Sequence, residues 1–399
     1  MRTIGASGAK LNACPRLAVC NLLQLIKNAA VYAPAKLGLR HLLIAGRRIV
    51  WSGADLDELG LLKSAEVLDL EGQRLIPGLI DGHAHLTGGG GESGFGSRVL
   101  PVPHPHFLEA GITTVVGVLG TDDTTRDTRS LVSQALYLRD HGVNAWCHTG
   151  GYHVPPVTFT GSVREDIVFL DPVIGVGEVA ISDHRSSQPS FEEILRIASD
   201  AHVAGLITGK AGILHLHLGD GDRGLDLVRR ALAETELPPR TFNPTHINRK
   251  KALFEEALDV ARAGCTVDIT AFPVTEDLPA DEWPADEALL RYLDSDAPPE
   301  RITMSSDGGG CLPVFNAQGE MQHFDIGHPA TLTETLVRLL KRGEALERVL
   351  PAFTLNPARL LRFHDRGRIE TGAAADLVVL RDDHSIGPVM SQGTWRNSR

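Results

Sequence analysis

Aromatic residues are scarce in this 399-residue chain, at 5%. A stacking platform for bases or glycans therefore has little to build on. Cysteine is scarce as well: Cys14, Cys20, Cys147, Cys265 and Cys311 are widely spaced and form no C-x-x-C pair. That spacing in a long chain excludes a disulfide scaffold and fits a reducing compartment. No run reaches the roughly 18 consecutive apolar residues of a membrane span. Basic residues are outnumbered, with Lys+Arg 39 against Asp+Glu 50 and a net charge of −11. A protein that tracks nucleic-acid phosphates is thereby excluded. The apolar stretch LNACPRLAVCNLLQLI follows Arg2 and Lys10, but Asn12, Pro15 and Arg16 interrupt it. No clean cleavage site follows, and a cytoplasmic protein is expected.

What the chain has in surplus is glycine (41), proline (23) and histidine (17). Glycine and proline without a period mean many tight loops. From about Leu23 to Asp69 the pattern is of short strands and turns, as in HLLIAGRRIVWSG. From Pro77 onward, short apolar runs closed by Gly, Asp, Thr or His alternate with helix-period segments such as FEEILRIASDAHVAG and KKALFEEALDVARAG. The runs are GLIDGHAH (78–85), ITTVVGV (112–118), NAWCHTG (144–150), VIGVGEV (173–179), ILHLHLG (213–219), TFNPTH (241–246), TVDIT (266–270) and ITMSSD (302–307). Strand alternating with helix predicts parallel βαβ units, and this number of them predicts a closed (β/α)8 TIM-like barrel over residues 78–363. The helices after the first and third runs are weakly written. Short strands resume in GRIETGAAADLVVL. Residues 21–77 and 364–399 are therefore expected to pair as a small β-sandwich domain, with residues 1–20 as an N-terminal extension.

Chemistry in a parallel barrel sits at the C-terminal ends of its strands. The first run ends in His83-x-His85, and positions i and i+2 of a strand share a face. The fourth ends at Glu178, the fifth at His217, the sixth at His246 and the eighth at Asp307. Four imidazoles and two carboxylates on one face read as a divalent-metal site, with zinc the default for N/O ligands. Each alone reads more simply as a hydrogen-bonded structural residue, and His-x-His also occurs as His104/His106 and His215/His217. In PVPHPHF the interleaved prolines mark a loop. In ILHLHLGD, His217 is nearer the strand end, and His215 is expected lower in the barrel.

The order His-x-His, bridging residue, His, His, Asp on an eightfold barrel resembles the amidohydrolase superfamily. Longer blocks are similar to those of the isoaspartyl (β-aspartyl) dipeptidases: PGLIDGHAHLTGGGGE, TTVVGVLGTD, TGGYHVP, AISDHRS, PTHINR and SSDGGG. The similarity runs from about Asn21 to near the C-terminus. By that resemblance, His83 and His85 bind a more buried zinc ion, and His217 and His246 a more exposed one. Asp307 ligates the buried ion and shuttles the proton, and Tyr152 polarises the scissile carbonyl. Glu92 holds the substrate's α-ammonium, Arg185 and Arg249 engage its carboxylates, and backbone around Gly90 and Thr121 completes the cradle.

The residues suit those roles. An isoaspartyl dipeptide carries one ammonium and two carboxylates, and arginine meets a carboxylate bidentately. Either arginine taken alone is equally a helix-start or surface salt-bridge residue. Two positions depart from the family pattern. Glu178 stands where most relatives carry a carboxylated lysine, so two zinc ions would be bridged by glutamate and loading would not depend on carbon dioxide. Lys210 lies before the fifth strand, toward the wrong end to substitute. Cys311 stands where relatives commonly have serine and is expected in the substrate site as a weaker donor. The expected function is hydrolysis of the β-linked amide of a small isoaspartyl dipeptide by a metal-activated hydroxide, in a homo-oligomer. Alternatives are a cyclic-amide hydrolase or a deaminase on the same scaffold, and then a catalytically silent binding relative.

Overall fold

The computed structural model describes residues 23–59, 65–273, 280–315 and 321–396. The extension expected for residues 1–20, with Cys14 and Cys20, lies outside them. Eight parallel strands form in the order read from the sequence: β1 (Leu79–Ala84), β2 (Ile112–Gly117), β3 (Asn144–Thr149), β4 (Val173–Ile181), β5 (Leu214–Leu218), β6 (Phe242–Thr245), β7 (Val267–Thr270) and β8 (Ile302–Ser305). Strands β1 to β6 make one sheet in sequence order, and β7 pairs with β8. Side chains complete the wall between β6 and β7, where Asn243 Nδ2 donates to Thr266 O at 2.7 Å and Thr245 Oγ1 to Asp268 Oδ2 at 2.7 Å. The ring closes where Asp307 N donates to His83 O at 3.1 Å and His85 N to Gly308 O at 2.8 Å. The fold is a TIM-like (β/α)8 barrel with an attached sheet domain.

Local signals explain the helices. Ser190 and Glu193 form a reciprocal capping box at the start of Phe191–Thr208, and Gly209 ends it in the left-handed region. The weakly written helices are short, His104–Glu109 and Val163–Phe169. The first corrects the expected loop at PVPHPHF. Its prolines occupy the N-cap and first turn, where a missing N–H costs no intrahelical bond, so proline starts this helix instead of breaking it. An antiparallel pair after β8, Cys311–Phe315 with Met321–Ile326, was not foreseen.

The sandwich expected from the chain ends is one connected sheet of eight strands. Arg74–Pro77 joins the ends, pairing parallel with Leu23–Tyr32 and antiparallel with Leu377–Leu380. Period-2 alternation lets these strands serve two interiors. Leu75, Leu377 and Val379 enter the sheet domain's own core with Ile26 and Leu42, while Ile76, Val378 and Leu380 enter the barrel's main core. No helix among the described residues is long and apolar enough to cross a membrane.

Candidate metal centre and substrate cleft

At the C-terminal ends of the strands, Glu178 stands between two histidine pairs. Its Oε1 lies 3.6 Å from His83 Nε2 and 3.4 Å from His85 Nε2. Its Oε2 lies 3.0 Å from His217 Nδ1 and 3.5 Å from His246 Nε2. Asp307 Oδ1 joins the first pair, 3.4 Å from His83 and 3.0 Å from His85. Each carboxylate oxygen of Glu178 thus faces one imidazole pair.

Glu178 does not end its strand, as the sequence reading had it, because β4 continues to Ile181. The pairing explains why. Val176 pairs with Leu214 and Val179 with Leu216, so three steps on β4 match two on β5. This bulge holds Gly177 and Glu178, and bulges near functional sites re-aim side chains. Gly177, at φ +142°, is required because a Cβ there would lie 2.4 Å from His215 O. His246, immediately after β6, and Asp307, two residues after β8, also have left-handed backbone at φ 62° and 52°. Such a conformation costs a non-glycine residue on the order of 1 kcal/mol or more and is typical of functional sites.

The donor set fits divalent cations. His83 Nε2, Glu178 Oε1 and Asp307 Oδ1 are buried and lack hydrogen-bond partners among the described residues. Three ligand groups compact enough to hold an ion overlap here: His83/His85/Glu178, His83/His246/Asp307 and Glu178/His217/His246. The electrostatics agree. Burial opposes charge on Glu178, yet the His83 and His217 imidazoles hold its carboxyl well below the usual range. Burial likewise opposes charge on His83, but Glu178 and Asp307 lift it to about 9. The cluster therefore demands positive charge at its centre. His246 is pushed down to about 3, chiefly by burial, which keeps a neutral lone pair available.

Hydrogen bonds beneath the cluster set the tautomers. Asn243 donates its amide to Thr266 O, so its Oδ1 accepts from His215 Nδ1 at 2.7 Å. His215 Nε2 then accepts from His83 Nδ1 at 2.8 Å, leaving the His83 Nε2 lone pair aimed at the carboxylates. His215 does lie lower in the barrel, and it orients the His83 imidazole. Thr270 Oγ1 sits 2.7 Å from His246 Nδ1, turning Nε2 toward Glu178.

The cleft above the cluster brings together Gly90, Glu92, Thr121, Tyr152, Arg185, Arg249 and Cys311 with His85, His217 and Asp307. Tyr152 Oη lies 2.8 Å from His217 Nδ1. Burial, then the nearby Glu178, keeps its phenol protonated far above the usual value. Glu92 Oε1 is 3.6 Å from Arg185 Nη1, and Glu92 Oε2 is buried without a partner among the described residues. Burial and then Glu92 push the Cys311 thiol up to about 12, so it stays neutral. Gly90, at φ +73°, has no room for a Cβ, which would meet Ser97 O at 2.5 Å.

The sequence reading missed two residues here. Asp183 clamps Arg185, accepting from Nε at 3.0 Å and Nη2 at 2.6 Å, and its Oδ2 lies 3.0 Å from His217 Nε2. It thereby ties the Arg185 guanidinium to the His217 imidazole. Its place two residues before Arg185 in SDHR was the available signal. Buried Arg126 donates to the carbonyls of Gly89, Val99, Gly90 and Thr87 and pairs with Asp122 at 2.8 Å, tying down the glycine loop. Nothing in TTRDTRS distinguishes it from a surface arginine. Two other expectations are resolved. Lys210 donates to Ile167 O and Leu170 O, away from the cluster. His104 packs on Tyr137 and His141, and His106 on His328; neither lines the cleft.

A β-aspartyl dipeptidase from Fervidobacterium islandicum AW-1, solved in complex with β-Asp-Leu dipeptide, superposes on this chain with a TM-score of 0.88 at 40% identity, covering 94% of this chain and 96% of that one. This chain belongs to the β-aspartyl dipeptidase family. The amidohydrolase family model matches residues 240–396. A β-aspartyl dipeptidase relative by this measure, the chain is a hydrolase of the amidohydrolase superfamily. More distant similarity reaches a dihydroorotase from Pelotomaculum thermopropionicum, 28% identical over 415 residues, with 94% of this chain and 93% of that protein covered. An imidazolonepropionase from Fusobacterium nucleatum is 40% identical over only 90 residues, and the chain spans about a fifth (21%) of its length.

Proposed function

We propose that this hydrolase is a metal-dependent dipeptidase that cleaves the β-linked amide of isoaspartyl dipeptides, with Glu178 bridging two zinc ions. One observation carries the reading: a two-lobed ligand cluster shares its cleft with one carboxylate, Glu92, and two guanidinium groups, Arg185 and Arg249. A substrate with one ammonium and two carboxylates finds a partner there for each charge, whereas a neutral ring needs none of the three. The 40% identity to a β-aspartyl dipeptidase solved with β-Asp-Leu supports the same substrate class.

His83, His85 and Asp307 would hold one ion, His217 and His246 the other, with Glu178 between them. When bound, such ions supply Lewis-acid polarisation of the carbonyl and activation of water. The chain's own groups do the rest. Tyr152 Oη donates toward the carbonyl oxygen as negative charge develops there, a contribution of about 10²–10³ in rate for a donor of this kind. Asp307 Oδ1 accepts the proton from the attacking water and returns it to the leaving amine. Glu92 receives the α-ammonium, and Arg185, steadied by Asp183, and Arg249 receive the carboxylates. Gly90 and Thr121 line the cradle, and the neutral Cys311 thiol sits beside Glu92.

A substrate panel tests this directly. Purified protein of known metal content is assayed on β-Asp-Leu, dihydroorotate, a hydantoin and adenine. Turnover of β-Asp-Leu, with about two zinc ions per chain by elemental analysis, is expected. Turnover of a ring substrate without hydrolysis of the dipeptide would overturn the reading.

A further inference from the structure

A second cavity, of about 310 Å³, lies at the other end of the barrel and is lined by Arg240, Arg301, Arg359, Arg362, Thr266 and Glu300. Chain order fixes its place. Arg240 precedes β6, Thr266 precedes β7 and Arg301 precedes β8, so the cavity sits at the N-terminal ends of the strands, away from the metal cluster. Its volume is at the low end of small-ligand sites, which run from about 300 to 1,000 Å³.

The charge in it is unbalanced. None of the four guanidinium groups lies within ion-pair distance of a carboxylate among the described residues, and Glu300, though it lines the cavity, pairs with none of them. Arg240 reaches Ala211 O at 3.4 Å, and Arg362 reaches Gly205 O at 3.2 Å and Lys210 O at 3.0 Å. Those bonds orient the two groups without neutralising them. Burial, then the charge of Arg362, holds the Arg240 pKa below its ordinary value, so the like charges are close enough to repel. Three of the four side chains are half-buried and Arg359 is exposed at the rim. In a chain of net charge −11, carboxylates are plentiful elsewhere. Holding four cations around one hollow is unfavourable unless an anion enters it.

We propose that this cavity binds a small oxyanion carrying two or more negative charges, gripped by guanidinium forks. A phosphate-type group and a dicarboxylate share that chemistry, since both present paired oxygens to arginine. The proposal stands apart from the catalytic reading, because it uses none of the cleft's residues.

Calorimetric titration of the full-length, metal-loaded protein with inorganic sulfate and, separately, with succinate tests it at low ionic strength. Saturable one-to-one binding of either anion is expected, and the tighter of the two identifies the preferred kind. The double variant Arg301→Gln/Arg359→Gln removes two forks that make no side-chain hydrogen bond among the described residues. It should bind about tenfold more weakly or worse, with an anion-free melting temperature no lower than the parent's and an unchanged hydrolytic rate. No binding at millimolar anion would overturn the proposal. Equal affinity in the variant would also overturn it, by placing the anion elsewhere. A change of oligomer size in the variant, without anion binding by the parent, would reassign the arginines to a subunit contact.

Discussion

The interior of the sheet domain buries Ile26, Leu42, Leu75, Leu377 and Val379. The mouth end of the barrel buries His83, His217, His246, Glu178 and Asp307, with His215 beneath them, almost as completely. Apolar burial stabilises the first region, by about 25 cal/mol per Å². In the second, desolvation opposes every charge, and the arrangement holds only where hydrogen bonds or a counter-charge answer it. Asn243, Thr270 and Asp183 answer part of that demand, and the orphaned atoms of His83, Glu178 and Asp307 mark what is left for an ion. Two similarly buried regions thus differ in what a substitution should break.

Asp307→Asn is the severest test on the barrel side. Turnover should fall by about 10³-fold while elemental analysis finds near-parental metal and urea denaturation finds little change in stability. Near-parental turnover would remove Asp307 from proton transfer. Leu42→Ala probes the opposite region. It should lower stability by about 2–5 kcal/mol, read by urea denaturation, with the rate per folded molecule unaltered. A parallel fall in that rate would erase the distinction between the two interiors.

His215→Leu sharpens the comparison inside the barrel. Without its acceptor nitrogen, the His83 tautomer is no longer fixed, and apparent metal affinity by chelator competition should fall about 10–100-fold. Unchanged affinity would make His215 mere filling. Cys311→Ser is the mildest, since a hydroxyl replaces a neutral thiol beside Glu92. KM for an isoaspartyl dipeptide should move by about threefold at most, the scale of one modest hydrogen bond. A loss of turnover would show the thiol doing something a hydroxyl cannot.

The contrast also explains what the sequence made legible. Each barrel strand is a short apolar run stopped by a polar residue, so one pattern reveals both the strand and the group it delivers to the mouth. His83, His85, His217, His246 and Asp307 were readable in that way. Glu178 was readable as a residue, yet the bulge that carries it was not, because two-against-three pairing is a property of β4 and β5 together. Asp183 had only its place beside Arg185 to mark it, and His215 and Arg126 act through residues far away in sequence, where no spacing announces a partner that folding supplies. The prolines of PVPHPHF misled for a different reason. Proline forbids the middle of a helix and favours its first turn, and only the boundary decides between them.

The alternation along Arg74–Pro77 and Leu377–Leu380 carries a consequence for how the molecule comes apart. Neighbouring residues on these strands belong to different cores, and Asp376 between them accepts from Asn144 at the start of β3, from Arg366 and from the backbone of Gln392. Pulling the chain ends away would strip Ile76, Val378 and Leu380 from the barrel as well as dismantle the sheet. The two regions, unlike in chemistry, are therefore expected to come apart together. Melting should show a single transition, and residues 78–363 cut free of their flanks should not hold the barrel closed.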